Sequence, residues 1–180
     1  IITAYETDPL ASYQLAIFLR GLAAYQNSIV AAANVIRNAN IGTLEAPPYI
    51  ARMRYPAYYL DVVLESSNRY GLDPLLLFSL IRHESLFDTY ATAAAGEKGL
   101  TQVIPSTGDY IAGVINFPDY QHSDLFRPYA GVEFGAYYLY ENLNTFNGNV
   151  TAALSGYNAG PGRAFQWREI SGGDPDAFLD

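Results

Sequence analysis

The chain has no cysteine among its 180 residues, so neither a disulfide framework nor thiol chemistry is available to it. It has only two histidines and no His-Glu-x-x-His pattern, which argues against a zinc site. No apolar run approaches the ~18 residues that a membrane-spanning helix needs. The chain also has no initiator methionine and no signal peptide, and we therefore expect it to be a piece of a longer protein.

Basic residues are scarce as well. The chain has 10 Lys and Arg against 18 Asp and Glu, which gives a net charge of −8. Nucleic acids and anionic membrane surfaces are bound by basic patches, so this balance argues against both as partners. Half of the residues are hydrophobic, as in ordinary globular proteins. The unusual excess is 16 tyrosines, whose flat apolar face and polar tip suit sugar rings as well as protein cores.

Turn signals recur along the chain and strict alternation of apolar and polar residues is rare, which predicts a mainly α-helical fold. Gly42 and the pair Pro47-Pro48 interrupt the helical pattern, so we place a domain boundary there, with an N-terminal helical region over 1–50 and a second domain over 51–180. Residues 86–105 predict a long surface loop with room for a short β-hairpin, and loops of this length are usually functional. Residues 171–180 predict a tail. The predicted helices cover residues 9–20, 28–39, 56–70, 74–85, 105–113, 128–146 and 150–157.

The helix predicted over 74–85 carries an acidic residue on its apolar face. Asp73 followed by Pro74 is a typical helix start. At about 100° per residue, Glu84 falls within the apolar stripe formed by Leu77, Leu80 and Ile81. Burial there disfavours the charged carboxylate and raises its pKa, which is how a glutamate becomes a general acid near neutral pH. A glutamate that extends to solvent or pairs with a buried arginine is the alternative that this pattern leaves open.

Two other patterns that suggest catalysis are incomplete. Residues 96–99, Gly-Glu-Lys-Gly, lack the spacing of a phosphate-binding loop, and residues 153–156, Ala-Leu-Ser-Gly, lack the first glycine of a nucleophile elbow. His83 and His122 are interpreted as surface residues. The sequence therefore predicts no metal site.

Three segments remain, and together they resemble one family. They are Glu-Ser at 84–85, Gly-Leu-Thr-Gln at 99–102 and Gly-Tyr-Asn-Ala-Gly at 156–160. The soluble lytic transglycosylase family carries Glu-Ser, Gly-Leu-Met-Gln and Ala-Tyr-Asn-Ala-Gly in the same order. The resemblance extends from about Tyr55 to Phe178. Each motif is weak alone, whereas three at this spacing are specific.

The resemblance implies a lysozyme-like helical domain in which one residue, Glu84, acts as acid and base on the glycan strands of peptidoglycan. Ser85 is expected to support a sugar or the carboxyl, Tyr157 to hydrogen-bond near Glu84, and Asn158 to hold its loop. Further substrate contacts are expected from Gln102 and from the chain around its two preceding residues, Leu100 and Thr101.

The resemblance has consequences for the rest of the chain as well. Residues 1–50 are similar to the last helices of the α-superhelix that precedes this domain in longer members. The resemblance implies a place in the bacterial cell envelope, either periplasmic or extracellular. We expect no cofactor, and we expect the chain to be a monomer. Four residues depart from the family pattern, and one of them is Ala93, which stands where Ser is common. Thr101 stands where Met is usual and Gly156 where Ala is usual. Glu97 replaces a small residue and could add a second carboxylate near the loop.

The implied reaction needs one carboxylate because the substrate supplies the nucleophile. Neutral Glu84 would protonate the oxygen between N-acetylmuramic acid and N-acetylglucosamine, and ionised Glu84 would then accept the proton of the C6 hydroxyl as a 1,6-anhydro ring closes. A goose-type lysozyme-like hydrolase is one alternative, and it would need a second carboxylate, for which Glu97 and Asp88 are the nearest candidates. A non-catalytic glycan-binding module is another.

Overall fold

Prolines begin most of the helices in this computed structural model, which describes residues 2–172 and 174. Proline suits the first helical position because the N–H that it lacks would have no partner there. Asp8, Asp73 and Asn149 each cap a helix, and their side chains accept hydrogen bonds from backbone N–H groups at 2.8–3.0 Å. The described residues form nine α-helices: α1 (Pro9–Gly21), α2 (Tyr25–Asn38), α3 (Pro48–Arg54), α4 (Leu60–Tyr70), α5 (Pro74–Ser85), α6 (Pro105–Val114), α7 (Pro128–Thr145), α8 (Val150–Ala159) and α9 (Pro161–Ile170).

The mainly helical prediction is confirmed, with corrections at several boundaries. Helix α2 starts at Tyr25, three residues before the predicted start, and α4 starts at Leu60 rather than at Pro56 because Tyr59 adopts a left-handed backbone with φ 57°. Two helices were not predicted, α3 and α9. Helix α3 begins at Pro48, which we had interpreted as an interruption of the helical pattern, and α9 begins at Pro161, to which we had assigned no role. A proline also favours a helix start, because its fixed φ suits the first helical position. Most of the tail predicted over 171–180 lies outside the described residues.

The main core lies where α4, α5 and α7 meet. Helix α7 packs on α4, α6 and α8, and supplies buried residues to two of the core clusters. Helix α5 contributes the residues that the sequence pattern had placed on its apolar stripe. The main cluster contains Ile29, Val63, Leu72, Leu77, Leu80, Ile81, Phe87, Leu100, Val132, Ala136 and Leu139.

The N-terminal helices form a smaller core of their own. Ala16 of α1 and Ala31 of α2 pack with Met53 of α3. Helix α2 also contacts the main core, because its Ile29 belongs there and Tyr25 stacks on Tyr58 with ring centroids 3.8 Å apart. Helix α3 crosses the boundary that we placed after residue 50, and the division into 1–50 and 51–180 stays a prediction.

The loop predicted over 86–105 is a long irregular segment. The β-hairpin for which we left room is reduced, in the described residues, to two isolated antiparallel bridges, between Thr92 and Lys98 and between Lys98 and Val103. Short polar contacts stabilise the segment instead. His122, which we interpreted as a surface residue, is half-buried, and its Nε2 lies 2.8 Å from the carbonyl oxygen of Gly96.

Gly99 is the residue of this segment that tolerates least change. Its φ is +76°, and a Cβ built there would lie 2.0 Å from the carbonyl oxygen of Leu125. Both the backbone conformation and the close approach therefore require glycine.

We expect Gly99→Ala to lower the free energy of unfolding by at least about 2 kcal/mol, because it adds backbone strain to a backbone collision. Gly113→Ala is the matched control, since a Cβ at this exposed helical position has no atom within 4 Å. It should leave stability unchanged or raise it by up to about 1 kcal/mol. Urea titrations followed by circular dichroism measure both values, and equal stability of the two variants would contradict this account.

Candidate active site

Glu84 lies in the last turn of α5, where an open cleft passes across it. One part of the cleft, of about 600 Å³, runs along α5 toward α8 and α9. A second part, of about 510 Å³, lies against the irregular segment and the end of α8. Glu84 and Asn158 line both parts. The carboxyl is therefore accessible from two sides to one extended ligand.

The surroundings of Glu84 favour its uncharged form. The residue is half-buried, and this burial raises the pKa of its carboxyl above the ordinary value. Two neighbouring groups modify the effect, since His83 lowers the pKa of Glu84 and Glu97 raises it. The apolar wall expected from the sequence is present, with Leu80 and Ile81 buried beside it. A carboxyl in this state can donate a proton to a ligand.

Tyr157 and Gln102 lie opposite α5 in the second part of the cleft. The Tyr157 hydroxyl donates to the carbonyl oxygen of Thr101 at 2.8 Å, and burial, with the nearby Glu84 charge, raises the pKa of this phenol. The Gln102 amide nitrogen donates to the carbonyl oxygens of Ala91 and Gly99, at 3.1 and 2.8 Å. These bonds fix both side chains to the backbone of the irregular segment.

Three of the expected substrate contacts lie behind the cleft wall. As whole residues, Ser85, Leu100 and Thr101 are 4%, 0% and 0% exposed, and none of the three lines either part of the cleft. The Ser85 hydroxyl lies 2.8 Å from the carbonyl oxygen of Leu100, and the Thr101 hydroxyl donates to the carbonyl oxygen of Gly131 at 2.6 Å. They join α5, the irregular segment and α7.

Comparison with known proteins identifies the family of this chain. The family model described as Transglycosylase SLT domain matches residues 61–177. The chain belongs to this family. Its relatives include the soluble lytic murein transglycosylase of Salmonella typhimurium, 29% identical over 69% of this chain and 19% of the relative. Membrane-bound lytic murein transglycosylase C of Mannheimia succiniciproducens is 33% identical over 58% of this chain and 32% of the relative. The chain thus spans about a fifth to a third of the length of these relatives.

Solved structures share the fold of this SLT domain. The 70 kDa soluble lytic transglycosylase of Escherichia coli superposes with a TM-score of 0.78 at 24% identity, over 92% of this chain and 26% of that one. A complex of the 70 kDa soluble lytic transglycosylase with bulgecin A gives a TM-score of 0.81 at 22% identity, over 96% and 27% of the two chains. The expected lysozyme-like helical fold is confirmed.

The first part of the SLT-domain cleft contains a residue that the sequence analysis missed. Trp167 of α9 lines it together with Leu76, Leu80 and Leu154. We did not predict α9, so the sequence analysis gave no place in the fold to Trp167, the single tryptophan of the chain. The useful signal was Pro161 directly after Gly160, because a proline there can begin a helix as well as end one.

The two acidic candidates for a second carboxylate differ in position. Glu97 lines the second part of the SLT-domain cleft, and its Oε2 accepts a hydrogen bond from the backbone N–H of Ala95 at 2.9 Å. Asp88 lines neither part, and its Oδ1 accepts from the backbone N–H of Tyr90 at 2.9 Å. Of the two, only Glu97 shares a cavity with Glu84.

In the part of the chain that the structure describes, no three His, Cys, Asp or Glu side chains are grouped so that they could hold a metal ion. Over the same residues, no helix combines the length and the apolar character that crossing a bilayer requires.

We expect Glu84→Gln to stabilise the folded chain at pH 7. Because folding raises the pKa of Glu84, the folded state binds this proton more tightly than the unfolded state, and stability falls as pH rises from the ordinary carboxyl value through the raised one. Glutamine mimics the protonated acid and avoids this loss. We therefore expect the Tm of Glu84→Gln at pH 7 to exceed that of wild type.

The increase should shrink below pH ~4, where the wild-type carboxyl is itself protonated. Glu6→Gln, which removes an exposed carboxylate outside the SLT domain, serves as the control and should show no comparable gain. Thermal melts at pH 4 and pH 7 measure the difference. A variant at position 84 that is no more stable than wild type at pH 7 would contradict the burial argument.

Proposed function

We propose that this chain is the catalytic part of a peptidoglycan lytic transglycosylase, which cleaves the β-1,4 bond between N-acetylmuramic acid and N-acetylglucosamine without consuming water. The observation that carries the proposal is the position of Glu84, a carboxyl of raised pKa where the two parts of one cleft meet. A glycan strand that occupies both parts has a sugar on each side of this acid.

The first step is protonation of the bridging oxygen. Burial keeps the Glu84 carboxyl protonated at a higher pH than an exposed glutamate, so it can act as a general acid. The positive charge that develops at the anomeric carbon is eased by the acetamido group of the substrate. The open sides of the cleft, lined by Trp167 in one part and by Tyr138 in the other, suit the flat faces of sugar rings.

The second step returns a proton to Glu84. The ionised carboxylate accepts the proton of the C6 hydroxyl of the N-acetylmuramic acid residue, and that oxygen bonds to the anomeric carbon to close a 1,6-anhydro ring. Because the nucleophile belongs to the same sugar, its effective concentration is very high, and no second carboxylate is needed. The reaction is therefore a non-hydrolytic cleavage.

The remaining site residues are proposed to support this reaction in two ways, by direct contact with the sugars and by positioning the cleft wall. Gln102, Tyr157 and Asn158 line the cleft and are proposed to contact the sugars. Ser85 and Thr101 are proposed to act indirectly, because their hydroxyls bond to backbone carbonyls that position the cleft wall. The backbone of Leu100 belongs to that wall.

The setting of the whole protein follows from the same proposal. A peptidoglycan substrate requires a place in the bacterial cell envelope, periplasmic or extracellular, and the names of the relatives, soluble and membrane-bound murein transglycosylases, support it.

We propose that the chain acts as a monomer. We also propose that residues 1–50 end a longer helical region. The small core shared by α1, α2 and α3 supports a separate N-terminal group of helices, and it extends past residue 50 to Met53.

A second candidate function is a goose-type lysozyme-like hydrolysis that uses the same acid. It rests on Glu97, which lines the cleft and lies close enough to raise the pKa of Glu84. Hydrolysis generally requires a second carboxylate to activate water or stabilise the anomeric carbon. In this candidate, Glu97 has that role.

Product analysis of digested sacculi tests the leading proposal. Wild-type chain should release muropeptides that end in 1,6-anhydro-N-acetylmuramic acid, and Glu84→Gln should lower their formation by at least about 100-fold because the general acid is lost. Mass spectrometry distinguishes these products from reducing-end products, which are heavier by one water. Reducing ends from the wild-type chain would reject the transglycosylase assignment.

Glu97→Gln separates the two candidates. Under the transglycosylase proposal, the variant should retain its rate to within about threefold, since Glu97 only adjusts the pKa of Glu84. A hydrolase should lose at least about 100-fold. The exposed substitution Asp109→Asn, on α6, is a matched control for the loss of one negative charge. Rates are measured on the same sacculi as above.

A further inference from the structure

A second groove runs along α7, outside the cleft. Part of it is a cavity of about 540 Å³, which is lined by residues of α4, of the first half of α7 and of the turn that follows α6. None of these residues lines either part of the cleft that contains Glu84. The proposed reaction therefore leaves this cavity without a role.

A regular stripe of side chains on α7 runs along this groove. Tyr129, Glu133, Tyr137 and Glu141 follow one another at intervals of four residues, so they lie along one face of the helix. At about 1.5 Å per residue, the stripe is about 18 Å long. The ring of Tyr70, from α4, packs beside it, with its centroid 5.7 Å from that of Tyr137. We call the stripe and the cavity together the α7 groove.

The polar groups of the α7 groove are held in place by one another. Glu133 accepts hydrogen bonds from the Ser66 hydroxyl at 3.0 Å and from the Tyr70 hydroxyl at 2.6 Å. Nη1 of Arg69 donates to the same carboxylate at 2.7 Å, and its Nη2 donates to Glu65 at 3.0 Å. The side chains of Arg69 and Glu65 are 52% and 71% exposed, so a donor and an acceptor remain accessible to a ligand.

This combination favours a sugar as the ligand. Among the described residues that line the cavity, two carboxylates, of Glu65 and Glu133, accompany the one guanidinium of Arg69, so an anion is disfavoured there. Sugar hydroxyls both donate and accept hydrogen bonds, and the flat faces of sugar rings pack on aromatic rings. Tyr129, which is half exposed, lines the cavity and offers such a ring.

The other end of the α7 groove meets the cleft. Tyr138, the residue after Tyr137, lines the second part of the cleft. Burial raises the pKa of the Tyr138 hydroxyl, and the nearby charge of Glu141 raises it further. On α6, Thr107 lines the cleft, and the hydroxyl of Tyr110, one turn later, donates to the Glu141 carboxylate. A sugar chain that leaves the cleft past these residues therefore continues onto the stripe of α7.

We propose that the α7 groove binds the continuation of the glycan strand that lies in the cleft. The identity of the strand rests on the proposed function, whereas the preference for sugars rests on the groove's own residues. One polymer that occupies both surfaces gains from the second contact without a second encounter, which favours the same strand over a separate molecule. The groove adds contacts only for long strands, since Tyr129 lies about 14 Å from Tyr138 along the helix axis.

Two oligosaccharides of β-1,4-linked N-acetylglucosamine, a trisaccharide and an octasaccharide, test the groove without cleavage, because they contain no N-acetylmuramic acid. The full chain, as wild type and as Tyr129→Ala, is titrated with each by calorimetry. The variant should bind the octasaccharide about fivefold more weakly, as expected for the loss of one stacked ring, and the trisaccharide equally well to within about twofold. An unchanged octasaccharide affinity overturns the proposal. An equal loss for both probes also overturns it, because the groove would then bind sugars independently of the cleft.

Three further variants complete the test. Tyr129→Phe keeps the ring and should retain the octasaccharide affinity to within about twofold. Glu65→Ala removes an exposed acceptor and should weaken octasaccharide binding by about fivefold, which keeps the proposal testable if Tyr129→Ala does not fold. Tyr5→Ala is the matched control and should change neither affinity, because Tyr5 is 48% exposed against 51% for Tyr129 and lies before α1.

Failure of this proposal and failure of the proposed function give different results. If wild type releases 1,6-anhydro products and Tyr129→Ala keeps the full octasaccharide affinity, the reaction stands and the groove proposal is overturned. If wild type releases reducing ends and octasaccharide binding still depends on Tyr129, the transglycosylase assignment is overturned and the groove stands as a saccharide site.

Discussion

The close approach of the Gly-Leu-Thr-Gln segment, residues 99–102, to α7 and to the short 3-10 turn before it, His122–Phe126, is the constraint on which the site depends. Gly99 lies against the carbonyl oxygen of Leu125, and Thr101 bonds to the carbonyl oxygen of Gly131. Because the segment has no regular β-sheet in the described residues to hold it, these few contacts determine where its backbone runs. That backbone in turn accepts the hydrogen bonds of Ser85 and Tyr157, so the acid on α5 and the phenol on α8 are positioned by the same few residues.

The departures from the family pattern have a packing explanation in the same region. A Cβ at Gly135 would lie 2.4 Å from the Cβ of Thr101. The Thr101 side chain therefore fills the space beside Gly135 of α7, and its hydroxyl donates a hydrogen bond to the carbonyl oxygen of Gly131. A Cβ at Gly156 would lie 2.4 Å from Oδ1 of Asn142, which explains why this chain has glycine where the family usually has alanine. Both substitutions are local adjustments to α7 and leave the cleft residues in place.

Much of the fold followed from local signals that act within one turn of chain. Asp73 with Pro74 marked the start of α5 correctly, and the helical period placed Glu84 among apolar residues. The same local logic was wrong at Pro48, which ends one pattern and also begins α3, and it missed the start of α9 at Pro161. Local rules alone cannot distinguish these outcomes.

The site was only partly predictable for a different reason. Motif spacing identified the segments that come together, but whether a side chain faces the cleft or the core depends on contacts between distant elements. Thr101 faces α7 and Trp167 faces the cleft, and no pattern within either segment distinguishes the two.

The hydrogen bonds of Gln102 have a consequence for what the cleft can recognise. Its side-chain nitrogen has two hydrogens, and the carbonyl oxygens of Ala91 and Gly99 take both. If the amide were flipped, its oxygen would face the carbonyl oxygens of Ala91 and Gly99, and no hydrogen bond could form. The Gln102 side chain therefore offers a ligand its amide oxygen, which is an acceptor, and no donor. A substrate group can satisfy it only by bringing a hydrogen of its own. At Gln102, the wall of the cleft therefore favours substrate groups that donate a hydrogen bond, such as hydroxyl and N–H groups, over ether and carbonyl oxygens.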